Sequence, residues 1–148
     1  MFLKVSKSNI KTESRIEIPG SKSHTIRALF IASLARGQSK VIQPLISGDA
    51  LSAVETCKAL GAGIYENGKD YIVDGFGGSP SIPDNIIDVG NSGTTLRFGV
   101  AAAALAEGYT VFTGDRQIRS RPMESLIKAC NNLGATVFST RNNGMAPI

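Results

Sequence analysis

The chain has 148 residues, 42% of them hydrophobic and 19% charged, which suits about one soluble globular domain and excludes a disordered or collagen-like chain. Its longest apolar run, Phe98 to Ala106, stops at Glu107-Gly108, well short of the ~18 residues a membrane-spanning helix needs, so no membrane partner is expected. Sixteen Lys and Arg against twelve Asp and Glu give a net charge of +4, which favours anionic partners without choosing among them.

The opening Met1-Phe2-Leu3-Lys4 has no apolar core of a secretory signal, and a cytosolic location is expected. Ile16 to Ile18 alternates like a short strand. Ile26, Leu29, Phe30, Ser33 and Leu34 then form the stripe of an amphipathic helix that Gly37 ends. Val41-Ile42 reads as a strand. Asp49 is placed to cap a second helix, with Leu51, Val54 and Cys57 inward and Gly61 as its stop. Ile64-Tyr65 and Tyr71-Ile72-Val73 flank Asn67-Gly68, a hairpin signal.

This β-α-β-α-β-β order then recurs. Gly20 to Arg27 aligns with Gly90 to Arg97 at an offset of 70, and Cys57 to Ala62 aligns with Cys130 to Ala135 at an offset of 73. The second copy offers Ile86-Ile87-Asp88-Val89 as a strand, a helix from about Thr94 to Ala106, and Val111-Phe112 as the next strand. A further helix has Pro122 in its first turn and Met123, Leu126, Ile127 and Cys130 inward, and a hairpin from Val137-Phe138 turns at Asn143-Gly144. Ile148 arrives four residues past that glycine, so the last strand is expected to be incomplete and the chain to be the front of a longer protein.

Three clusters point to chemistry. Ser21-Lys22-Ser23 and Asn91-Ser92-Gly93-Thr94 fall at equivalent helix starts, where free backbone N–H groups and the helix dipole attract anions. Arg27 and Arg97 each follow one turn later on the same face, within reach of an anion at the helix start. The third cluster, Gly114-Asp115-Arg116-Gln117-Ile118-Arg119-Ser120-Arg121-Pro122, places Arg121 near a helix cap. The bland alternative makes the serines and threonines plain caps and the cations solvated surface. His24 sits in an exposed turn and Asp49 reads as a cap, so neither is taken as catalytic. The two cysteines, Cys57 and Cys130, read as buried apolar side chains, because no CxxC spacing or histidine cluster supports a metal site. The aromatics fall mostly at core-like positions, leaving no stacking platform for nucleic acid.

At these clusters the sequence resembles the 5-enolpyruvylshikimate-3-phosphate synthase family, also called 3-phosphoshikimate 1-carboxyvinyltransferases. Pro19-Gly20-Ser21-Lys22-Ser23 with Arg27-Ala28-Leu29, then Gly90 to Arg97, then Gly114-Asp115 with Arg119-Ser120-Arg121-Pro122, match its signatures in order and spacing. Ile26 and Ser92 depart modestly from the family pattern. The resemblance implies an inside-out α/β fold of six β-α-β-α-β-β units in two domains. Two of the six would be present, at 20–78 and 79–148, with 1–19 belonging to the other domain.

The resemblance also implies enolpyruvyl transfer from phosphoenolpyruvate to the 5-hydroxyl of shikimate 3-phosphate in chorismate biosynthesis. No metal or organic cofactor and no nucleic acid partner is implied, and the whole protein is expected to be a monomer. Lys22 would touch both substrates and serve catalysis, and Ser23 and Arg27 would hold shikimate 3-phosphate. Asn91, Gly93, Thr94 and Arg121 would form the phosphoenolpyruvate pocket where glyphosate competes, with Arg97 behind them. The family's third unit and second domain fall outside these 148 residues, so this chain alone is expected not to turn over. A transferase acting on UDP-N-acetylglucosamine is the nearest rival, although its first signature lacks the Ser23 and Arg27 pairing. A non-catalytic anion- or RNA-binding module on the same repeat is the rival of another class.

Overall fold

The structure, a computed structural model, describes residues 2–7, 13 and 15–148. In chain order it contains α1 (Lys22–Leu34), β1 (Arg36–Val41), α2 (Gly48–Ala59), β2 (Gly63–Asn67) and β3 (Asp70–Phe76). After these come β4 (Ile87–Asp88), α3 (Gly93–Ala103), β5 (Phe112–Thr113), a 3-10 turn at Ile118–Ser120 and α4 (Glu124–Asn132). β3 lies between β1 and β2 in an antiparallel sheet, whereas β4 and β5 pair in parallel across the α3 crossover.

The amphipathic stripe of α1 is as its spacing predicts: Ile26, Leu29, Phe30 and Ser33 are buried. Val54 and Cys57 of α2, Leu96 and Val100 of α3, Tyr71 and Val73 of β3, and Ile87 and Phe112 of the parallel pair join them in one continuous core. Phe30 and Phe98 meet in a T-shaped contact with centroids 5.7 Å apart, packing α1 on α3. The two sequence repeats therefore share one interior. Both cysteines are buried and free, and burial pushes the Cys57 thiol up to about 12.

Several boundaries differ from the sequence-based expectations. Gly37 does not end α1, which closes at Ala35; instead it lies in β1 at φ 78°, paired with Gly75. β1 starts five residues before Val41 and ends there, because β3 supplies partners along all of Arg36 to Val41. The hairpin turn falls at Gly68-Lys69, one residue late, since Asn67 pairs with Asp70 and Gly68 takes φ 65° at the first loop position. Leu51 is exposed, so the inward face of α2 is built from Ala50, Ala53, Val54 and Cys57. Four of the nine aromatics, Phe2, Tyr65, Tyr109 and Phe138, are also exposed and scattered rather than core residues.

Two expected strands do not form. Ile16 and Ile18 are 78% and 84% exposed, and no described backbone pairs with them. Val137 and Phe138 also lie outside any strand, because the Asn131 side chain takes up the Val137 backbone: its Oδ1 accepts from Val137 N–H at 2.7 Å and its Nδ2 donates to the Val137 carbonyl at 2.9 Å. Pro122 stands outside α4, which begins at Glu124 with Met123 as its cap. Arg121 is extended, at φ −85° and ψ 133°, as a residue preceding proline prefers.

β3 crosses the end of α1 without room for a side chain at Gly75, where a Cβ would meet the Ala35 and Ala32 carbonyls. Gly75→Ala is expected to lower stability by roughly 1 to 3 kcal/mol, the usual cost of overpacking against backbone, measured as a fall in urea midpoint. Cys57 should resist aromatic disulfide reagents at pH 8 in the folded chain and react within minutes in 6 M guanidinium; rapid native reaction would contradict its burial.

Candidate functional site

The three anion-seeking clusters lie at one end of the helical layer. Ser21 caps α1 by accepting from His24 N–H at 3.4 Å, and Ser92 caps α3 by accepting from Thr95 N–H at the same distance. Lys22 and Gly93 are thus the first residues of their helices, with Ser23 and Thr94 second. His24 is exposed on α1.

The start of α2 bridges the other two. Ser47, not Asp49, is its cap, accepting from Ala50 N–H at 3.3 Å. Asp49 is released for a different task, an ion pair with Lys22 at 2.8 Å. On the other side, Thr95 Oγ1 of α3 donates to the Asp49 carbonyl at 3.4 Å. Sequence reading missed this role because an acidic residue before a helix satisfies the capping pattern equally well. The competing signal was Ser47, three residues before Ala50.

Arg27 and Arg97 make equivalent contacts. Arg27 Nη1 donates to the Ser23 carbonyl at 3.1 Å, and Arg97 Nη1 donates to the Gly93 carbonyl at 3.0 Å. Each arginine folds back one turn toward its own helix start. Arg27 also stands over the Phe98 ring, 5.9 Å from its centroid, so an aromatic of the second repeat steadies a cation of the first.

The arginines of the third cluster divide their work. Arg119 Nη1 is spent on the Gly114 carbonyl inside its own loop, and Arg116 is exposed. Arg121 alone turns to α3: its Nη1 lies 2.6 Å from the point where a Cβ on Gly93 would stand, and Arg97 Nη1 lies 3.2 Å from the same point. Two guanidinium groups therefore converge on one buried helix start. Neither pairs with a carboxylate among the described residues, and like charges so placed gain from an anion between them.

Asn91 completes the arrangement. Its Nδ2 donates to Asp115 Oδ2 at 2.6 Å and to Gln117 Oε1 at 3.1 Å, while its Oδ1 accepts from Arg121 Nη2 at 3.5 Å. The Ile118 backbone N–H, with further help from the Asn91 amide, holds the Asp115 carboxyl below the usual range. A groove of about 450 Å³ lies elsewhere, at the far end of α3 between Val100, Tyr109, Phe112 and Phe138. No charged side chain lines it, so it is unsuited to anions.

Residues 7–148 match the family model described as EPSP synthase (3-phosphoshikimate 1-carboxyvinyltransferase). The chain is 64% identical over its whole length to the 3-phosphoshikimate 1-carboxyvinyltransferase of Acetivibrio thermocellus, of which it covers 34%. It is 55% identical to that of Ruminiclostridium cellulolyticum, again over the whole chain, covering 35% of that protein. Among solved structures, EPSP synthase from Acinetobacter baumannii superposes with a TM-score of 0.82 at 28% identity, over 89% of this chain and 30% of that one. The chain thus spans about a third of the length of these relatives.

Gly93→Ala tests the convergence of the two arginines. The atoms a methyl group would meet are the ends of flexible side chains, so folding stability should change by less than about 1 kcal/mol, helped by alanine's helix preference. Affinity for inorganic phosphate, measured by calorimetric titration, should fall several-fold as the guanidinium groups move apart.

Proposed function

This chain belongs to the EPSP synthase (3-phosphoshikimate 1-carboxyvinyltransferase) family, and we propose on that footing that it carries one substrate-holding face of an enolpyruvyl transferase. The observation that carries this reading is the pair of carboxylate-free guanidinium groups, Arg97 and Arg121, meeting at the start of α3. Phosphoenolpyruvate, with a phosphate and a carboxylate on one small carbon frame, matches such a site.

Asn91, Gly93, Thr94 and Arg121 hold phosphoenolpyruvate in this reading, with Arg97 behind them. Glyphosate, itself a small dianion, competes for the same place. Ser23 and Arg27 hold shikimate 3-phosphate at the start of α1. Lys22, beside Ser23 at the start of α1, serves both in this reading. Its ion pair with Asp49 leaves the ammonium half-exposed and fixes its position, so it can donate to a substrate oxygen without wandering.

The chemistry is addition followed by elimination. The 5-hydroxyl oxygen of shikimate 3-phosphate bonds to C2 of phosphoenolpyruvate, losing its proton while C3 gains one. The tetrahedral adduct then loses phosphate from C2 as C3 gives up a proton, leaving the enolpyruvyl ether and inorganic phosphate. Charge grows on substrate oxygens along this path, and cations fixed beforehand stabilise it without reorganising. The remaining catalytic groups are assigned to the other two-thirds of a protein of the relatives' length, working as a monomer in the cytoplasm. No helix among the described residues is long and apolar enough to cross a membrane.

In a polypeptide of the relatives' full length, Lys22→Ala or Arg121→Ala is expected to cost at least ~2 kcal/mol in kcat/KM, the scale of one lost preorganised charge contact. Near-native turnover in either variant would remove that residue from the assignment. A calorimetric titration of the 148-residue chain with shikimate 3-phosphate at two salt concentrations tests the other half-site. Saturable binding that shikimate does not reproduce and Arg27→Ala abolishes is the expected result. A steep salt dependence with no preference for the phosphorylated ligand would favour a nucleic-acid-binding module instead.

A further inference from the structure

Four polar groups meet where the loop before α3 faces the loop before α4, and they do not have equal freedom. An ionised carboxylate only accepts hydrogen bonds and a guanidinium only donates them, whereas a carboxamide does either, according to which way round it lies. Asp115 and Arg121 are therefore the fixed ends of the network. Asn91 and Gln117 are the members that can turn over.

We propose that Asp115 is a positioning residue: its carboxylate sets the orientation of the Asn91 amide, and through it aims Arg121 at the start of α3. The Asn91 Nδ2 donates to Asp115 Oδ2 at 2.6 Å, which leaves Oδ1 as the atom presented to Arg121 Nη2 at 3.5 Å. Asn91 thus acts as an adaptor, with its donor end on the anion and its acceptor end on the cation. Gln117 follows, offering Oε1 to the same Nδ2 at 3.1 Å.

Asp115 is well anchored for this task. Its other carboxylate oxygen accepts from Ile118 N–H at 2.9 Å, its own N–H donates to the Gly90 carbonyl at 2.8 Å, and its carbonyl accepts from Arg119 N–H at 2.9 Å. Both the loop carrying Asn91 and the loop carrying Arg121 are thereby tied to one residue. No hydrogen bond or ion pair joins Asp115 to Arg121, so its influence on that guanidinium passes through Asn91.

Asp115→Asn removes the fixed polarity with almost no change in shape. If the new carboxamide keeps its oxygen on Ile118 N–H, its NH2 faces the Asn91 NH2, and relief comes only when Asn91 turns over and presents its own NH2 to Arg121. Asn91→Asp produces the opposite fault, two carboxylates face to face. Combined, the two substitutions restore complementarity: the amide at 115 donates to the carboxylate at 91, whose second oxygen accepts from Arg121.

The experiment is a double-substitution cycle on the 148-residue chain, read by thermal midpoint and by the side-chain amide and arginine Nε–H signals in 15N-resolved NMR. Asp115→Asn and Asn91→Asp should each lower the midpoint by several degrees, and the double variant should recover most of the loss. The Asn91 side-chain NH2 and Arg121 Nε–H signals should move in Asp115→Asn, while the amides of Leu96 and Val100 in the core stay in place. Losses that simply add in the double variant, or Asn91 and Arg121 signals that do not respond to Asp115→Asn, would overturn the proposal. If Asp115→Asn does not fold, recovery of folding in the double variant supports the proposal and failure there overturns it.

The consequence for phosphoenolpyruvate rests on the function proposed above, and a separate arm tests it. Inorganic phosphate, titrated into the unsubstituted chain and into Asp115→Asn, should bind at least fivefold more weakly to the variant. An unsubstituted chain that binds no phosphate would count against the function, while the cycle alone decides the role of Asp115.

Discussion

A single shared core obliges α1, α2 and α3 to begin at the same end of the molecule. Phe30 against Phe98, with Val54, Cys57, Leu96 and Val100 buried around them, fixes how the helices lie on one another. Once that packing is set, Lys22, Asp49 and Thr95 come within bonding distance although they belong to different helices. Helix starts are electropositive, and gathering them would be unfavourable without acceptors. Ser21, Ser47 and Ser92 supply those acceptors locally, and Asp49 supplies a full negative charge between its neighbours.

The second constraint is the absence of a side chain at Gly93. A methyl group there would occupy the place of the Arg121 and Arg97 guanidinium ends. Glycine at a buried helix start is costly in conformational entropy, and here the space it leaves is filled by cations rather than by apolar atoms. The loop from Gly114 to Arg121 is shaped to deliver one of them. Arg119 and Asp115 hold it internally, the extended residue before Pro122 turns the chain, and Arg121 projects back toward α3.

Much of this arrangement is legible along the chain, for reasons of range. The caps at Ser21 and Ser92 and the back-folded Arg27 and Arg97 involve partners three or four residues away, the distances that one helical turn brings together. The 70-residue offset pairs Arg27 with Arg97, and the two arginines make equivalent contacts with the carbonyls four residues before them. The failures have physical causes as well. Asp49 and Ser47 both suit a cap, and only the position of Lys22 decides between them. Ile16 to Ile18 and Val137-Phe138 have strand-like composition, but a strand exists only where another backbone meets its hydrogen-bonding groups.

The sequence by itself determined that the four helices exist, where α1 and α3 start, the repeat and the family, because these depend on short-range spacing and on motifs read in order. Tertiary structure alone decided which charged groups meet: Lys22 with Asp49, Arg121 with Gly93 and Asn91, and Asn91 with Asp115, the last pair 24 residues apart. It also sorted three arginines of one loop into a structural brace, an exposed cation and a group aimed at the start of α3. Charge and composition are the same for all three. Their different roles arise because the fold brings a carbonyl to Arg119 and the start of a helix to Arg121.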